Sequence, residues 1–209
     1  MSRSSDQVLR DAVQTLRTAE LGLRLMETDD PEQRMAGLRN VAVFGRAVTN
    51  VLQNLRSTEP GFDEWYSPFV SEMKADPLLR RFYKLRSQIL KAGGTGTAVS
   101  VGISNLSLPG GMSRFGQPPP GATTFFVGDQ IGGTGWQVPQ PDGSVEKYYV
   151  GLPSDIGTVS VHLVDPPATH LGQPVPSGAD VRSLSASYVG YLRELVGQAR
   201  ARFGGGRDT

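Results

Sequence analysis

The stretch Ala75-Asp76-Pro77-Leu78-Leu79-Arg80-Arg81-Phe82-Tyr83-Lys84-Leu85-Arg86-Ser87-Gln88-Ile89-Leu90-Lys91-Ala92-Gly93-Gly94 divides the chain into two halves of different character. Asp76 followed by Pro77 is a helix-start signal, because an acidic side chain can accept from the free amides of the first turn and proline needs no donor there. Leu78, Leu79, Phe82, Leu85, Ile89 and Leu90 recur at helical spacing. Gly93-Gly94 supplies the left-handed stop.

Upstream the same grammar repeats. Ser4 or Ser5 can cap a first helix with Asp6 in its opening turn, and Val8, Leu9, Val13, Leu16, Leu23 and Met26 form its apolar stripe. Asp29-Asp30-Pro31 starts a second helix carrying Met35, Leu38, Val41, Ala42, Val48, Val51, Leu52 and Leu55, broken at Glu59-Pro60-Gly61. A third, from Phe62 to Lys74, bears Phe62, Trp65, Tyr66 and Phe69. Those rings could stack on bases, but their spacing of three and four favours core packing. Four helices with short connections bury their stripes against one another, so residues 1–93 are expected to form a four-helix bundle.

Downstream of Gly93, glycine and proline become frequent and charge sparse. Short β-type runs cover Thr97 to Ile103, Thr123 to Val127, Gly135 to Val138, Val145 to Val150 and Thr158 to Val164. Asp142-Gly143 between two of them signals a hairpin. Ser107 to Ala122 and Asp165 to Asp180 are expected to be long surface loops, Val181 to Phe203 a final helix, and Gly204 to Thr209 a disordered tail. The expected class is α+β: a bundle (1–93), then a small antiparallel sheet and a C-terminal helix (94–209). The two halves could share one core, because short strands are marginal alone.

Composition narrows the function. The chain has 209 residues, 38% hydrophobic and 20% charged, with 21 Lys and Arg against 20 Asp and Glu. This balance excludes a surface uniformly built for nucleic acid, though not a local basic patch. The lack of cysteine excludes disulfides, zinc ribbons, iron–sulfur ligation and thiol nucleophiles. The N-terminal residues show no apolar run of signal-peptide or membrane-span type, so a cytoplasmic protein without membrane association is expected.

The charge concentrates in one place. Lys74, Arg80, Arg81, Lys84, Arg86 and Lys91 stand against one acid, Asp76, within 18 residues. Lys84 and Lys91 are seven apart on one face, with Arg80 four before Lys84, a cluster able to grip phosphates. The competing reading is a solvated helix face paired with acids from other helices.

On Phe82 to Gly93 the bundle resembles the last helix of the HEPN superfamily. There an Arg is followed by a polar residue and, four to six residues after the Arg, by a His. The resemblance implies metal-free attack on RNA, usually across a dimer interface, with the Arg steadying the phosphate and the His moving a proton. Arg86 matches the Arg and Ser87 the polar residue, whereas Lys91 occupies the His position. A lysine of ordinary pKa is a poor base near neutrality but can hold a phosphate. The reading this yields is a non-catalytic, homodimeric HEPN-like module. It would bind RNA or a protein partner, with Arg86 and Lys91 at the site and Arg80, Arg81 and Lys84 in support. A bacterial defence or toxin setting is implied by the resemblance alone. The alternatives are a metal-independent ribonuclease, with Arg86 stabilising charge and Lys91 or His162 shuttling protons, and a self-assembling structural protein. No cofactor or metal is expected.

Other motifs carry less. His162 lies three before Asp165, and His170 falls in a proline-rich loop. A dyad of His162 with Asp165 and a serine lacks a Gly-x-Ser-x-Gly elbow, and the two histidines lack the HExxH spacing of a metal site. Gly93-Gly94-Thr95-Gly96-Thr97 follows a helix and precedes a strand, the reverse of a phosphate loop.

Overall fold

In the computed structural model, which describes residues 3–104 and 114–205, the local signals translate directly into helix ends. Helix α1 spans Ser5–Leu25, with Ser4 Oγ accepting from the Gln7 amide. Helix α2 spans Pro31–Leu52 behind the Asp30 cap, and its last turn tightens into a 3₁₀ segment, Gln53–Ser57, which buries Leu55. Helices α3 (Phe62–Ala75) and α4 (Pro77–Ala92) meet at Asp76. Asp76 ends the first and caps the second through the Leu79 amide at 2.8 Å. Gly93, at φ +68°, stops α4 as a left-handed cap.

The architecture is α+β: a helical bundle, small antiparallel β-structure and a C-terminal helix. Helix α5, Val181–Phe203, does not lie on the strands. It enters the bundle, and its buried Leu184, Tyr188, Val189, Leu192, Leu195 and Val196 join the same core as α1 to α4. Close approach of α1 and α2 depends on Gly22 and Gly37: a Cβ at Gly22 would lie 2.7 Å from the Gly37 carbonyl oxygen. The aromatic side chains of α3 pack rather than project. Phe62 and Tyr66 are buried, and Trp65 meets Phe203 of α5 edge-on at 5.2 Å.

Among the described residues the β-structure is divided among three separate antiparallel sheets. Strands β1 (Thr97–Ile103) and β5 (Gly157–Leu163) pair with each other, Val99 opposite Val161. Strand β5 turns Val161 and Leu163 into the helical core. Strands β2 (Thr124–Val127), β3 (Thr134–Pro139) and β4 (Val145–Tyr149) form a meander, with Gly143 at φ +85° in the β3–β4 turn. Strands β6 (Thr169–His170) and β7 (Gln173–Pro174) form a minute hairpin inside the segment expected to be a plain loop. Its turn, Leu171-Gly172, has two positive φ angles, a geometry that two-residue strands do not advertise in sequence.

Of the loop expected from Ser107 to Ala122, residues 105–113 lie outside the described residues, as do 206–209 of the expected tail. The described remainder is not all surface. Phe115 is buried beside Phe125 and Trp136, and Trp136 donates to the Phe115 carbonyl at 3.4 Å. This second, small core anchors the meander. Among the described residues no helix is long and apolar enough to cross a membrane.

Candidate functional site

Helix α4 distributes its cations unequally. At 3.6 residues per turn, Arg80, Lys84 and Lys91 fall within about 40° of one another, whereas Arg86 stands about 140° from Lys91. Arg80, Lys84 and Lys91 are exposed and Arg86 is half-buried. Among the described residues, none of these four, nor Lys74, takes part in an ion pair. The exposed face is thus cationic without acids from other helices to neutralise it. Next to it stands Tyr83, 55% exposed, with the Arg46 guanidinium 5.3 Å over its ring.

Arg81 departs from the expected cluster. It is 7% exposed, and its guanidinium donates to the Asp165 carbonyl (3.0 Å), Gln88 Oε1 (3.2 Å) and the Gly96 carbonyl (3.3 Å). Burial lowers its pKa from the ordinary value, with Asp165 opposing. Its hydrogen-bonding capacity is used inside the protein, where it ties the approach to β1 and the exit from β5 to α4.

The histidines are accounted for by local structure. His162 Nε2 lies 2.7 Å from Ser100 Oγ across the β1–β5 ladder, and Nδ1 faces the Ala179 carbonyl at 3.4 Å. The partner is therefore Ser100, and the third group is a backbone carbonyl rather than Asp165. His170 Nδ1 lies 3.2 Å from Asp76 Oδ1, and the Leu171 amide donates to Asp76 Oδ2 at 2.7 Å. Asp76 thus holds both the start of α4 and the small β6–β7 hairpin. Among the described residues no group of three or more His, Asp or Glu is arranged to hold a metal ion.

A feature not anticipated from the sequence lies behind α4. A cavity of about 570 Å³ opens among α2, α3, α4 and α5. Cations line it from three helices: Arg46 from α2, Lys74 from α3 and Arg80 from α4, with Arg56 at the end of α2. Arg56 is paired with Asp63 at 2.7 Å. Tyr66, Tyr83, Tyr188 and Tyr191 supply aromatic walls. Thr49 and Gln53 complete the α2 side, and Arg46 Nη1 donates to Thr49 Oγ1 at 2.7 Å.

The phenols of this cavity carry the unusual chemistry. The hydroxyls of Tyr66 and Tyr191 are buried with no hydrogen-bond partner in the protein. Thr49 and Gln53 lie near the first, and the Glu72 carboxylate near the second, but not in hydrogen-bonding geometry. An unpaired buried hydroxyl costs about 1–3 kcal/mol, so natural structures rarely keep one without a reason. Burial raises the pKa of Tyr66, Tyr188 and Tyr191, with Glu72 adding to the rise at Tyr191 and Arg46 opposing it at Tyr66. At neutral pH these groups are hydrogen-bond donors. Tyr188 and Tyr191 read in sequence as part of an apolar stripe; the available signal was tyrosine where phenylalanine would have packed as well.

Residues 24–104 match the family model described as Bacteriophage lambda protein ea47. The matched segment runs from the end of α1 through β1, and includes the α2, α3 and α4 walls of the cavity but not α5. No curated protein and no solved structure matches the chain.

Proposed function

We propose that this chain is a non-catalytic, HEPN-like binding module that engages single-stranded RNA along the exposed face of α4. What carries the reading is the unpaired cationic row Arg80, Lys84 and Lys91 beside the exposed ring of Tyr83. Regularly spaced cations track a phosphate backbone, and an exposed aromatic ring gives a base a surface to stack on. Arg86 and Lys91 belong to the same proposal through the resemblance. On one helix they point about 140° apart, so a shared phosphate requires a second copy of the chain, in keeping with a homodimer. A cytoplasmic setting is part of the proposal, and the phage-named family match is compatible with a bacterial or phage context.

The experiment is incubation of the purified protein with mixed RNA in chelator, comparing wild type with Arg86→Ala and Lys84→Glu/Lys91→Glu. Salt-sensitive binding without cleavage, weakened by the double charge reversal, is the expected result. Cleavage abolished by Arg86→Ala would replace the proposal with a metal-independent ribonuclease. Salt-insensitive self-association with no RNA binding would replace it with an assembly or protein-docking role.

A further inference from the structure

Strand β1 leaves one of its two edges bare. At the two ends of the β1–β5 ladder the Val164 amide donates to the Gly96 carbonyl and the Ser104 amide to the Ile156 carbonyl, each at 2.9 Å. Alternate residues of an antiparallel pair face the partner strand, so the even-numbered residues of β1 turn their amides and carbonyls to β5. Thr97, Val99, Val101 and Ile103 turn theirs the other way, and among the described residues none of these backbone groups is hydrogen-bonded. Strand edges are usually guarded by charge, proline or a bulge. The run from Thr95 to Ser104 has no charged residue and no proline, and its register with β5 is unbroken from Thr97 to Ile103. Val101 and Ile103 are 40% and 53% exposed. Thr97 and Val99, on the same face, border a groove lined by Met35 and Ala36 of α2 and Ile131 of the β2–β3 turn. On its α2 side the charges of Glu32 and Arg39 balance, and Asp129 is held by Lys147. The groove therefore suits an uncharged, apolar strand, and β1 is one.

We propose that β1 pairs antiparallel with β1 of a second copy of this chain, about a two-fold axis at Ser100. In this register Val99 lies opposite the partner's Val101 and Thr97 opposite the partner's Ile103. Their outward amides and carbonyls then satisfy one another. Opposite residues share a face, so the exposed Val101 and Ile103 of each copy enter the groove beside Val99 and Thr97 of the other. A single two-fold operation fills both grooves and covers both edges, which closes the assembly at a dimer. Each two-stranded sheet is marginal by itself, and the merged sheet, in the order β5–β1–β1–β5, is not. The surface lies outside the helices that carry the HEPN resemblance. It depends neither on RNA nor on the cationic face of α4.

The test is sedimentation velocity without nucleic acid, joined to disulfide cross-linking, which the lack of native cysteine makes site-specific. Wild type should sediment as a dimer that dissociates on dilution. Val101→Lys and Ile103→Lys should each weaken the dimer by about tenfold or more, because the interface would bury an ammonium group against apolar side chains. Both positions are exposed in the single chain, so the helical circular dichroism should stay at the wild-type level. Ser100→Cys should form a covalent dimer on mild oxidation, since the axis sets the two copies of this position opposite each other in a non-hydrogen-bonded pair, within disulfide reach. Ala98→Cys and Gly102→Cys should not cross-link alone and should cross-link when mixed. Arg86→Ala and Lys84→Glu/Lys91→Glu should dimerise as wild type, which separates loss of this interface from loss of RNA binding. A monomeric wild type would overturn the proposal and leave the edge to a strand of another protein. Any other cross-linking pattern, a dimer that survives both lysine substitutions, or one that the α4 variants abolish would overturn it by placing the contact elsewhere.

Discussion

The ring of Tyr188 on α5 stacks on that of Phe82 on α4, centroids 4.3 Å apart and planes 11° from parallel. Tyr188 is also pressed against α2, where a Cβ on Gly45 would collide with its ring. This one side chain therefore fixes the spacing of three helices and forms a wall of the cationic cavity. Gly45→Ala is expected to destabilise the protein by about 1–3 kcal/mol through overpacking. Phe82→Ala is expected to cost about 3–5 kcal/mol through loss of a fully buried ring. Urea midpoints at constant slope measure both. If Gly45→Ala is neutral, Tyr188 can shift at little cost and does not set the helix spacing.

Arg81 ties α4 to the chain on either side of the β1–β5 ladder. Arg81→Met keeps the buried stem but removes the donor to the Asp165 carbonyl and one of the two donors to the Gly96 carbonyl, which keeps the Val164 amide. The expected loss is about 1–3 kcal/mol. Because the Val164 amide donates to the Gly96 carbonyl, its hydrogen exchange should accelerate more than that of Leu195 in the helical core. Uniform acceleration at both amides would show that Arg81 supports only global stability.

How far these arrangements could be read from the sequence depended on how local their causes are. Asp76-Pro77 and Gly93 act on amides and carbonyls within one turn, so both ends of α4 were legible, as was the common face of Lys84 and Lys91. Arg81 looked identical to its neighbour Arg80, because what separates them is burial against carbonyls 15 and 84 residues away. Backbone carbonyls have no side-chain signature. The cavity was invisible for the same reason: Arg46, Tyr66, Arg80 and Tyr188 come from four helices, and no spacing in the chain relates them. Tyr188 announced that it would be buried, but not that it would stack on Phe82 beside a cluster of cations. Entry of α5 into the bundle likewise depends on which face the other four helices leave uncovered.

Asp129 gives the meander a defined response to acid. Its side chain is 9% exposed and accepts from Lys147 Nζ (2.6 Å), Tyr149 Oη (3.0 Å) and the Gly133 and Ile131 amides. Burial pushes its pKa up, but Lys147 and the other donors outweigh burial and hold it below the ordinary aspartate value. A depressed folded-state pKa contributes stability that is present above the unfolded value and is lost as pH falls through the folded one. The β2–β3–β4 region should therefore loosen below about pH 4 in wild type. Asp129→Asn should be less stable at neutral pH and show a flatter acid limb. Near-ultraviolet circular dichroism of Trp136, which lies in this region, follows the change. Coincident acid limbs for wild type and Asp129→Asn would remove Asp129 from the account.

The α4 face makes a quantitative prediction about salt. If Arg80, Lys84 and Lys91 each neutralise one phosphate of a single strand, the logarithm of the binding constant should fall against the logarithm of salt with a slope of about −2. Lys84→Gln/Lys91→Gln should reduce that slope to about −0.7, because one counterion-releasing contact remains. Both substitutions lie at exposed positions without ion pairs, so stability should hold within about 0.5 kcal/mol. Tyr83→Ala should lower affinity at every salt concentration and leave the slope unchanged, since stacking releases no counterions. Arg81→Met separates structure from recognition: it should lower the melting temperature while the slope of the folded protein stays at the wild-type value. A slope that drops with Arg81→Met but not with the paired lysine substitutions would mean that the strand follows the β1–β5 side of α4. The exposed row would then be a solvated surface with no part in binding.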